Sequence, residues 1–270
     1  MVGVLNIQFK PIIGDKHANL KIVEKFIDDN SGKKLDLVIL PEFFSTGISH
    51  EDFVNSPEDV NGGFVISGIA DLAKKYKTNI IAGTVIESDN GKLYNTSFVL
   101  NREGSIIGKY RKIHLYNYMG GSEGERITPG NELKVVDFDF GKVGIGICYD
   151  IRYPLHYKNL VKGGAQLIVL PTAWIVPNEV YENEESLEYA KDMWVALNRT
   201  RAFDNMVYTI SSNQCGRVND NISALGSSVV ISPTAEVLAC ADDDNSALYV
   251  QLELGIVDYL KNIYPISFID

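Results

Sequence analysis

Several apolar segments of the chain are continuous runs rather than alternations of apolar and polar residues. Continuous runs are typical of strands that are covered on both faces, whereas alternation indicates a sheet with one face in water. The segments that predict strands are Val2–Phe9, Leu35–Leu40, Asn79–Ile86, Tyr94–Leu100, Val143–Cys148, Gln166–Leu170, Val207–Ser212, Ser227–Ile231 and Ala247–Leu252. Helical spacing occurs between some of them, at Lys16–Asp29, Phe64–Lys77 and Glu185–Phe203. This order predicts an α/β fold that starts with a βαβ unit and has β-hairpins in its middle part.

The sequence contains no sign of a boundary between domains. No linker rich in glycine, proline or serine divides the 270 residues, and a hydrophobic content of 45% is enough for one substantial core. We therefore expect a single domain over residues 1–270.

Two segments of the chain repeat one pattern. LDLVILPEFF (Leu35–Phe44) and AQLIVLPTAW (Ala165–Trp174) both run a buried strand into a proline, a polar residue and an aromatic residue. The repeat hints at internal pseudo-symmetry. Functional sites of open α/β sheets form at the carboxyl ends of strands, and Glu42, Thr172 and Cys148 are all expected at such ends.

Charge and cysteine usage exclude several classes of function. A net charge of −10 and an isoelectric point near 4.9 oppose binding to nucleic acid or to an anionic membrane, which both require a cationic surface. The three cysteines are far apart and lack CxxC spacing, so neither a disulfide framework nor a zinc cluster is indicated. The first residues do not resemble a signal peptide, and no run of apolar residues is long enough to cross a membrane. We expect a cytoplasmic protein.

The segment KVGIGICYDIRYP (Lys142–Pro154) contains the strongest candidate for chemistry. A buried strand ends in a thiol, which predicts that Cys148 sits on a sharp turn where a nucleophile projects above the sheet. Backbone N–H groups after such a turn can stabilise an oxyanion. The alternative is that Cys148 is a buried small apolar residue, as many free cysteines are.

Two further charged residues follow apolar segments. Glu42 comes after an apolar run and a proline, where an ionised carboxylate needs a partner unless the chain surfaces at Pro41 and solvates it. Lys112 lies in SIIGKYRKIHLY and is either a cation that emerges from an apolar context or a snorkelling side chain. Lys109 and Arg111 are expected to be surface charges on the opposite side of this strand.

Glu42, Lys112 and Cys148 together suit the cleavage of an amide. A thiol of ordinary pKa near 8.5 is only a few per cent ionised at neutral pH, so a carboxylate that accepts its proton activates it. The same carboxyl group can return the proton to the leaving amine. An ammonium group beside the developing oxyanion supplies roughly 3 kcal/mol of transition-state stabilisation.

The chain resembles the nitrilase superfamily of carbon–nitrogen hydrolases, in its amidase and ω-amidase branch. The matching motifs are LPEFF around Glu42, GKYRKIHL around Lys112, GIGICYDIRYP around Cys148, and RTRAFDNMVY (Arg199–Tyr208). They occur in the order of the family, and the resemblance extends from Val2 to about Leu252.

The resemblance implies an α/β fold, a four-layer αββα sandwich that forms homodimers or larger oligomers and uses neither metal nor organic cofactor. It implies that Glu42 is the general base and acid, Lys112 the oxyanion stabiliser, and Cys148 the nucleophile that forms a thioester. Amidase-type members often carry a second glutamate before a Pro-Gly turn. The turn here is Pro129-Gly130, and the spacing selects Glu123 rather than Glu125. Glu123 is expected to orient Lys112 or the substrate, and the alternative is an exposed loop carboxylate.

The chain departs from the family at two points. After RYP it has Leu155 and His156 where a glutamate is common, so the helix after the nucleophile is anchored differently. The acidic segment 175–192 is longer than in compact relatives, and we expect it to shape or cover the substrate pocket. Because this segment differs, the substrate is less firmly implied than the reaction.

Several interpretations stay open at this point. A Cys-His pair through His114 or His156 is a rival mechanism, with His114 otherwise a supporting group near Lys112. We expect a small linear amide as the substrate, with an N-carbamoyl amine or a nitrile as alternatives. Arg152 is a candidate partner for a substrate carboxylate or, equally, a member of a structural salt bridge. A non-catalytic binding protein or a redox-sensing thiol would be a different class. The residues expected to line the pocket are Tyr116, Tyr149, Tyr153, Thr172 and Trp174.

Overall fold

A computed structural model describes residues 1–48, 54–59, 63–117 and 122–264 of the chain. The strands are β1 Val2–Gln8, β2 Leu37–Ile39, β3 Glu58–Asp59, β4 Asn79–Ile81, β5 Val85–Asp89, β6 Lys92–Leu100, β7 Ile106–Arg111, β8 Lys134–Phe138, β9 Gly141–Ile145, β10 Leu167–Thr172, β11 Ile175–Pro177, β12 Tyr208–Asn213, β13 Cys215–Arg217, β14 Ile222–Leu225, β15 Val229–Ile231, β16 Val237–Cys240 and β17 Ser246–Leu252. The helices are α1 Lys16–Asp29, α2 Phe64–Tyr76, α3 Pro154–Lys162, α4 Asn178–Tyr181, α5 Glu184–Asn205 and α6 Gly255–Ile263.

Two large sheets form the centre of the molecule. The first has the order β17-β1-β2-β4-β6-β5-β3, with β7 also paired to β6, and the second has the order β16-β15-β12-β10-β9-β8. Strands β1, β2 and β4 are parallel, as are β9, β10 and β12, whereas β5, β6 and β7 are antiparallel. The predicted βαβ start and the hairpins that follow it are therefore confirmed. A small sheet, β11-β14-β13, lies beside them.

The burial pattern shows why the strands are continuous apolar runs. Val4 and Leu37 share one core with Val143 and Ile168 of the second sheet, whereas their neighbour Leu5 packs in a separate core with residues of α1 and α2. Strands β1 and β2 of the first sheet are thus covered by the second sheet on one face and by helices on the other. Helices α3 and α5 pack against the second sheet. The predicted four-layer αββα sandwich is confirmed.

Element boundaries differ from the prediction where the chain bends. The predicted strand Asn79–Ile86 is two strands, β4 and β5, separated by a turn at Gly83. Gly83 has φ +45°, and a Cβ there would lie 2.0 Å from the carbonyl oxygen of Pro41. Only glycine accepts both conditions without strain. The pattern of apolar residues does not reveal this turn, because the residues on both sides of it are buried.

Lys109 and Arg111 lie on the side of β7 opposite to Lys112, as predicted, and their side chains are partly exposed, but both are paired with a buried anion. Both side chains bind Glu87 of β5, which is fully buried, at 2.7 Å from Lys109 Nζ and 2.5 Å from Arg111 Nη2. Hydrogen bonds from the two cations hold the pKa of Glu87 below its ordinary value, although burial alone would raise it. The two residues share one side of β7, as the period of a strand requires, but that side faces a buried anion.

The acidic segment 175–192 is regular structure. It begins with β11, which pairs with β14, continues as α4, and ends in the first turns of α5. Asn183 caps α5, because its side chain accepts a hydrogen bond from the backbone N–H of Ser186. Among the described helices, none is both long enough and apolar enough to span a membrane.

Candidate active site

Cys148 lies three residues beyond the end of β9, on a strained turn. It has φ +46°, a conformation that is uncommon for residues other than glycine, and it begins a short 3-10 helix, Cys148–Arg152. The turn is held by Asp150, whose Oδ2 accepts the backbone N–H of Ile147 at 2.8 Å. Only 8% of Cys148 is exposed. This local geometry is the one predicted for a nucleophile at a strand-to-helix turn.

Glu42 connects the ends of strands from the two sheets. Its backbone N–H donates to the carbonyl of Thr172 at 3.2 Å, and its Oε2 accepts the backbone N–H of Ala173 at 2.9 Å. The side chain of Gln214 donates to the Glu42 carbonyl at 2.6 Å. Glu42 is buried, so the alternative that the chain surfaces here and solvates the carboxylate is wrong. The two segments that repeat one pattern in the sequence therefore meet at this residue.

Lys112 bridges two carboxylates in the interior. Its Nζ lies 2.9 Å from Oε1 of Glu42 and 2.8 Å from Oε2 of Glu123, and all three side chains are buried. The Oε2 of Glu123 also accepts the backbone N–H of Tyr116 at 2.9 Å. Glu125, the other glutamate of this loop, is exposed. The choice of Glu123 by spacing thus agrees with the geometry, and the snorkelling alternative for Lys112 does not.

Asn95 of β6 is a member of this cluster that sequence reasoning missed. Its Nδ2 donates to Oε1 of Glu42 and to Oε1 of Glu123, each at 2.8 Å. Its backbone carbonyl accepts the backbone N–H of Lys112 at 2.9 Å. The one feature of the sequence that could have indicated Asn95 is its amide side chain in the strand KLYNTSFVL, whose central residues are all buried.

Burial and charge set the protonation of the cluster. Burial raises the pKa of Glu42, with the charge of Glu123 adding to the effect and that of Lys112 opposing it. Burial alone would lower the pKa of Lys112, but Glu123 and Glu42 outweigh it and hold that pKa well above its ordinary value. Burial, together with the charge of Glu42, raises the pKa of the Cys148 thiol well above its ordinary value. Cys148 is therefore a thiol at neutral pH and needs a base to become a nucleophile.

A second buried network supports the turn at Cys148. The Oδ2 of Asp150 accepts the hydroxyl of Tyr110 at 2.7 Å, and its Oδ1 accepts both the backbone N–H and the ring Nδ1 of His114, the latter at 2.6 Å. Burial would raise the pKa of Asp150, but these hydrogen bonds hold it below its ordinary value. Because Tyr110 and His114 flank Lys112 at two residues on either side, Asp150 ties the nucleophile's turn to the Lys112 segment.

The histidines do not support a Cys-His mechanism. The ring of His114 binds Asp150, and the ring of His156 lies 3.4 Å from the carbonyl oxygen of Ile145. Together with Asp150 they form the one described group of side chains suited to hold a metal ion, with ligand atoms within 4.8 Å of one another. The oxygens of Asp150 already accept four hydrogen bonds, from Ile147, Tyr110 and His114. A cation would have to displace these bonds, so the group is better explained as a hydrogen-bonded support.

Most of the predicted pocket residues form an aromatic chain beside Cys148. Tyr116 contacts Tyr149 edge to face at 5.3 Å, and Tyr149 contacts Tyr153 at 5.9 Å. The guanidinium of Arg152 lies over the ring of Trp174 at 5.3 Å. These rings are partly exposed, so they remain candidates for substrate contact.

Thr172 does not fit the predicted role of a pocket residue. Its side chain is fully buried, and its hydroxyl donates to the carbonyl of Leu170 in the same strand at 2.9 Å. Its part in the site is played by its backbone carbonyl, which accepts the N–H of Glu42.

Comparison with known proteins identifies the family. The carbon–nitrogen hydrolase family matches residues 5–261. The chain is 30% identical to the omega-amidase NIT2 of Xenopus tropicalis, over 93% of this chain and 88% of that protein. It is 29% identical to the omega-amidase NIT3 of Saccharomyces cerevisiae, over 98% of this chain and 92% of that protein.

Solved structures agree with this result. The crystal structure of Saccharomyces cerevisiae Nit3, a member of branch 10 of the nitrilase superfamily, superposes with a TM-score of 0.85 at 28% identity, covering 98% of this chain and 94% of that one. A carbon–nitrogen hydrolase from Helicobacter pylori has the same fold, with a TM-score of 0.87 at 23% identity, covering 100% and 95% of the two chains. The chain therefore belongs to the carbon–nitrogen hydrolase family and hydrolyses amide carbon–nitrogen bonds.

Proposed function

We propose that Glu42, Lys112 and Cys148 form the catalytic triad of an amidase that works through a thioester, with Glu123 as the residue that orients Lys112. The observation that carries this proposal is the hydrogen-bond count of the buried ammonium group. Lys112 has three N–H bonds, of which Glu42 and Glu123 take two. The third has no acceptor among the described residues and is available to an anion that develops beside Cys148.

The first half of the reaction acylates the thiol. Cys148 Sγ attacks the amide carbon while Glu42 takes the thiol proton. The oxyanion is stabilised by the third N–H of Lys112 and by the backbone N–H that follows the nucleophile. Glu42 then gives the proton to the amine as the carbon–nitrogen bond breaks, and ammonia leaves.

The second half releases the acid. Water attacks the thioester while Glu42 again accepts a proton, and the sulfur leaves with its electron pair to regain that proton. Because burial raises the pKa of Glu42, its carboxylate is a stronger base than an ordinary glutamate, and the same group can return the proton that it accepts.

We propose the ω-amide of a dicarboxylic acid as the substrate class. Arg152 supports this choice, because its side chain is exposed beside the pocket aromatics and no carboxylate of the described residues forms an ion pair with it. Its charge also acts on Tyr116, where it opposes the rise in pKa caused by burial. Guanidinium groups bind carboxylates in a bidentate manner. The omega-amidases among the relatives agree with this assignment.

A substrate panel with Arg152→Met tests the proposal. Ammonia release is measured from dicarboxylate monoamides, neutral aliphatic amides, N-carbamoyl amines and nitriles. We expect monoamides to be preferred, and the substitution to raise their KM roughly 10- to 100-fold because a charge-assisted hydrogen bond to the substrate is lost. The KM for neutral amides should stay nearly the same.

The matched control is Arg217→Met, which removes an exposed arginine whose ion-pair partners among the described residues, Glu182 and Asp220, are not members of the proposed site. It should leave all kinetic constants unchanged. If wild type prefers a neutral amide, an N-carbamoyl amine or a nitrile, or if Arg152→Met affects all amides equally, the substrate class is wrong. Silence of folded wild-type protein on the whole panel would favour the non-catalytic binding protein.

We propose that the chain forms a homodimer or larger oligomer through α5. Tyr189, Met193 and Phe203 lie on one stripe of this helix and are 67%, 50% and 51% exposed. Ala196 and Thr200 complete the stripe between them and are also exposed, at the spacing of one helix face. An apolar stripe of this length on a helix is typical of a surface that another protein covers.

Met193→Lys tests this assembly. A charge in the middle of the stripe should turn a wild-type oligomer into a monomer, because a buried lysine without a partner opposes association. The molar mass is measured by light scattering after gel filtration. Tyr259→Lys, on the exposed face of α6, is the control and should keep the wild-type mass. A monomeric wild type, or an unchanged mass of the Met193 variant, would contradict the assignment.

We also propose that the enzyme works in the cytoplasm. The mechanism needs Cys148 as a free thiol, and Cys215 and Cys240 are free as well. Reducing compartments keep such thiols available.

A further inference from the structure

Asn95 makes an unusual set of contacts for a residue in the middle of a strand. Both hydrogens of its amide group are used, one on Oε1 of Glu42 and the other on Oε1 of Glu123. Its backbone carbonyl also accepts the N–H of Lys112. One residue therefore contacts both acidic side chains of the site and the backbone of its cation.

The side-chain oxygen of Asn95, Oδ1, is left without a hydrogen bond by this set of contacts. It is buried, and among the described residues it has no hydrogen-bond partner. A buried acceptor without a partner destabilises the folded protein. An apolar residue would avoid this cost but would leave two carboxylates facing one another, so the amide is better explained by its donors than by packing.

The contacts of Glu42 differ between its two oxygens. Oε1 accepts from Lys112 Nζ and from Asn95 Nδ2, which uses both of its lone pairs. Among the described residues, the one hydrogen-bond donor to Oε2 is the backbone N–H of Ala173, and the thiol of Cys148 interacts with that same N–H and with the Glu42 carboxyl group. The lone pair that remains for a proton is therefore on Oε2, on the side of the thiol.

We propose that Asn95 is a positioning residue that occupies Oε1 of Glu42 and so directs Oε2 to exchange protons with Cys148. This inference rests on the proposed roles of Glu42 and Cys148. By binding Glu123 with its other hydrogen, Asn95 also fixes the distance between the two carboxylates that hold Lys112. It acts through these residues and has no contact of its own with the reacting atoms.

The groups that face the Glu42 carboxyl group are Lys112, Glu123, Cys148, Asn95 and the backbone of Ala173. The hydrogen bond from Asn95 lowers the pKa of Glu42, against the larger effect of burial that raises it. Activity falls as the pH drops through that pKa, because a protonated Glu42 cannot accept the thiol proton. Removal of the Asn95 donor therefore moves the acid limb of kcat/KM to higher pH.

The test compares Asn95→Ala and Asn95→Asp with wild type, using the best amide of the panel. Asn95→Ala should lower kcat by roughly 10²-fold with little change in KM, the expected cost of a displaced catalytic group. Asn95→Asp keeps the shape of the side chain but replaces the donor by an acceptor, so it should lose at least as much activity. Both variants should show the shifted acid limb.

Ser97→Ala is the matched control. It lies on the same face of β6, it is buried, and its hydroxyl has no partner among the described residues. It should leave kcat and the pH profile unchanged. Circular dichroism and thermal unfolding show which variants fold. If Asn95→Ala does not fold, the Asp variant decides.

The inference is overturned if a folded Asn95 variant keeps the wild-type kcat and acid limb, or if Asn95→Asp retains the activity that Asn95→Ala loses. The latter result would show that shape, and not donation, matters. Failure of the proposed function looks different: it would appear as a Cys148→Ala or Glu42→Gln variant that still releases ammonia. The two failures can therefore be told apart in one experiment.

Discussion

Cys148→Ala is expected to reduce amide hydrolysis by roughly 10⁴- to 10⁶-fold, the scale on which removal of a covalent nucleophile acts. No other group of the described site can form the acyl intermediate, because Glu42 and Lys112 are bound to one another and to their neighbours. The protein should fold, because the substitution removes a small side chain and leaves the hydrogen bonds of Asp150 to the turn intact. Ammonia release and the mass of trapped acyl-enzyme are the measurements.

The other cysteines provide the controls for this experiment. Cys215 is buried, and burial raises its pKa to about 12, so it is unreactive at neutral pH. Cys240 is exposed on β16, in the sheet edge away from the β9 turn. Cys215→Ala and Cys240→Ala should keep full activity. Loss of activity in either, or acyl label on either sulfur, would contradict the assignment of the nucleophile to Cys148.

Lys112→Met is expected to reduce both activity and stability. Removal of an oxyanion donor lowers kcat by roughly 10²- to 10³-fold. The two buried carboxylates lose the cation between them, which lowers the free energy of unfolding by about 3 kcal/mol. This value is near the lower end of the range for a broken buried ion pair, because protonation of one carboxyl group relieves part of the repulsion between the two. Steady-state kinetics and denaturant unfolding measure the two effects.

The pH dependence of Lys112→Met provides a separate check. The charge of Lys112 opposes the rise in the pKa of Glu42 that burial causes. Without it that pKa rises further, so the acid limb of kcat/KM moves to higher pH. Lys75→Met, which breaks an exposed ion pair with Glu24, is the control and should change neither stability nor the profile appreciably. An acid limb that stays in place would mean that Glu42 is not the base.

The sequence was informative where chemistry and burial conflict. Glu42 is a carboxylate after an apolar run, Lys112 is a lysine in a strand, and Cys148 is a thiol at the end of a strand. Placing such groups there either costs folding free energy or exposes a reactive side chain. Because they also occur in the order of a known family, the sequence predicted all three. The continuous apolar runs predicted strands that are covered on both faces, whereas the four layers of the fold were implied by the resemblance to the family. The structure brings the predicted residues together, and their roles stay predictions until the variants are measured.

Residues with ordinary local environments escaped prediction. The side chain of Asn95 binds Glu42 and Glu123, which are 53 and 28 positions away in the chain. The side chain of Asp150 binds Tyr110 and His114, which are 40 and 36 positions away. Nothing in the segments around Asn95 and Asp150 indicates these distant partners. The turn at Gly83 was hidden because buried residues surround it. Thr172 was predicted from its place at a strand end, but a strand end fixes the position of the backbone and not the direction of the side chain.

The bonds of Glu42 to Thr172 and Ala173 have a consequence for how activity arises during folding. Glu42 follows a strand of one sheet and its two backbone partners end a strand of the other, so the carboxylate acquires its final orientation only after the two sheets dock. Glu42 and Ala173 are 131 positions apart, about half the chain, and closure of such long loops is slow. Neither sheet alone contains the complete site, because Glu42 follows a strand of the first sheet and Cys148 follows a strand of the second. Recovery of activity on refolding is therefore expected to report the docking of the two sheets, which secondary-structure signals do not register.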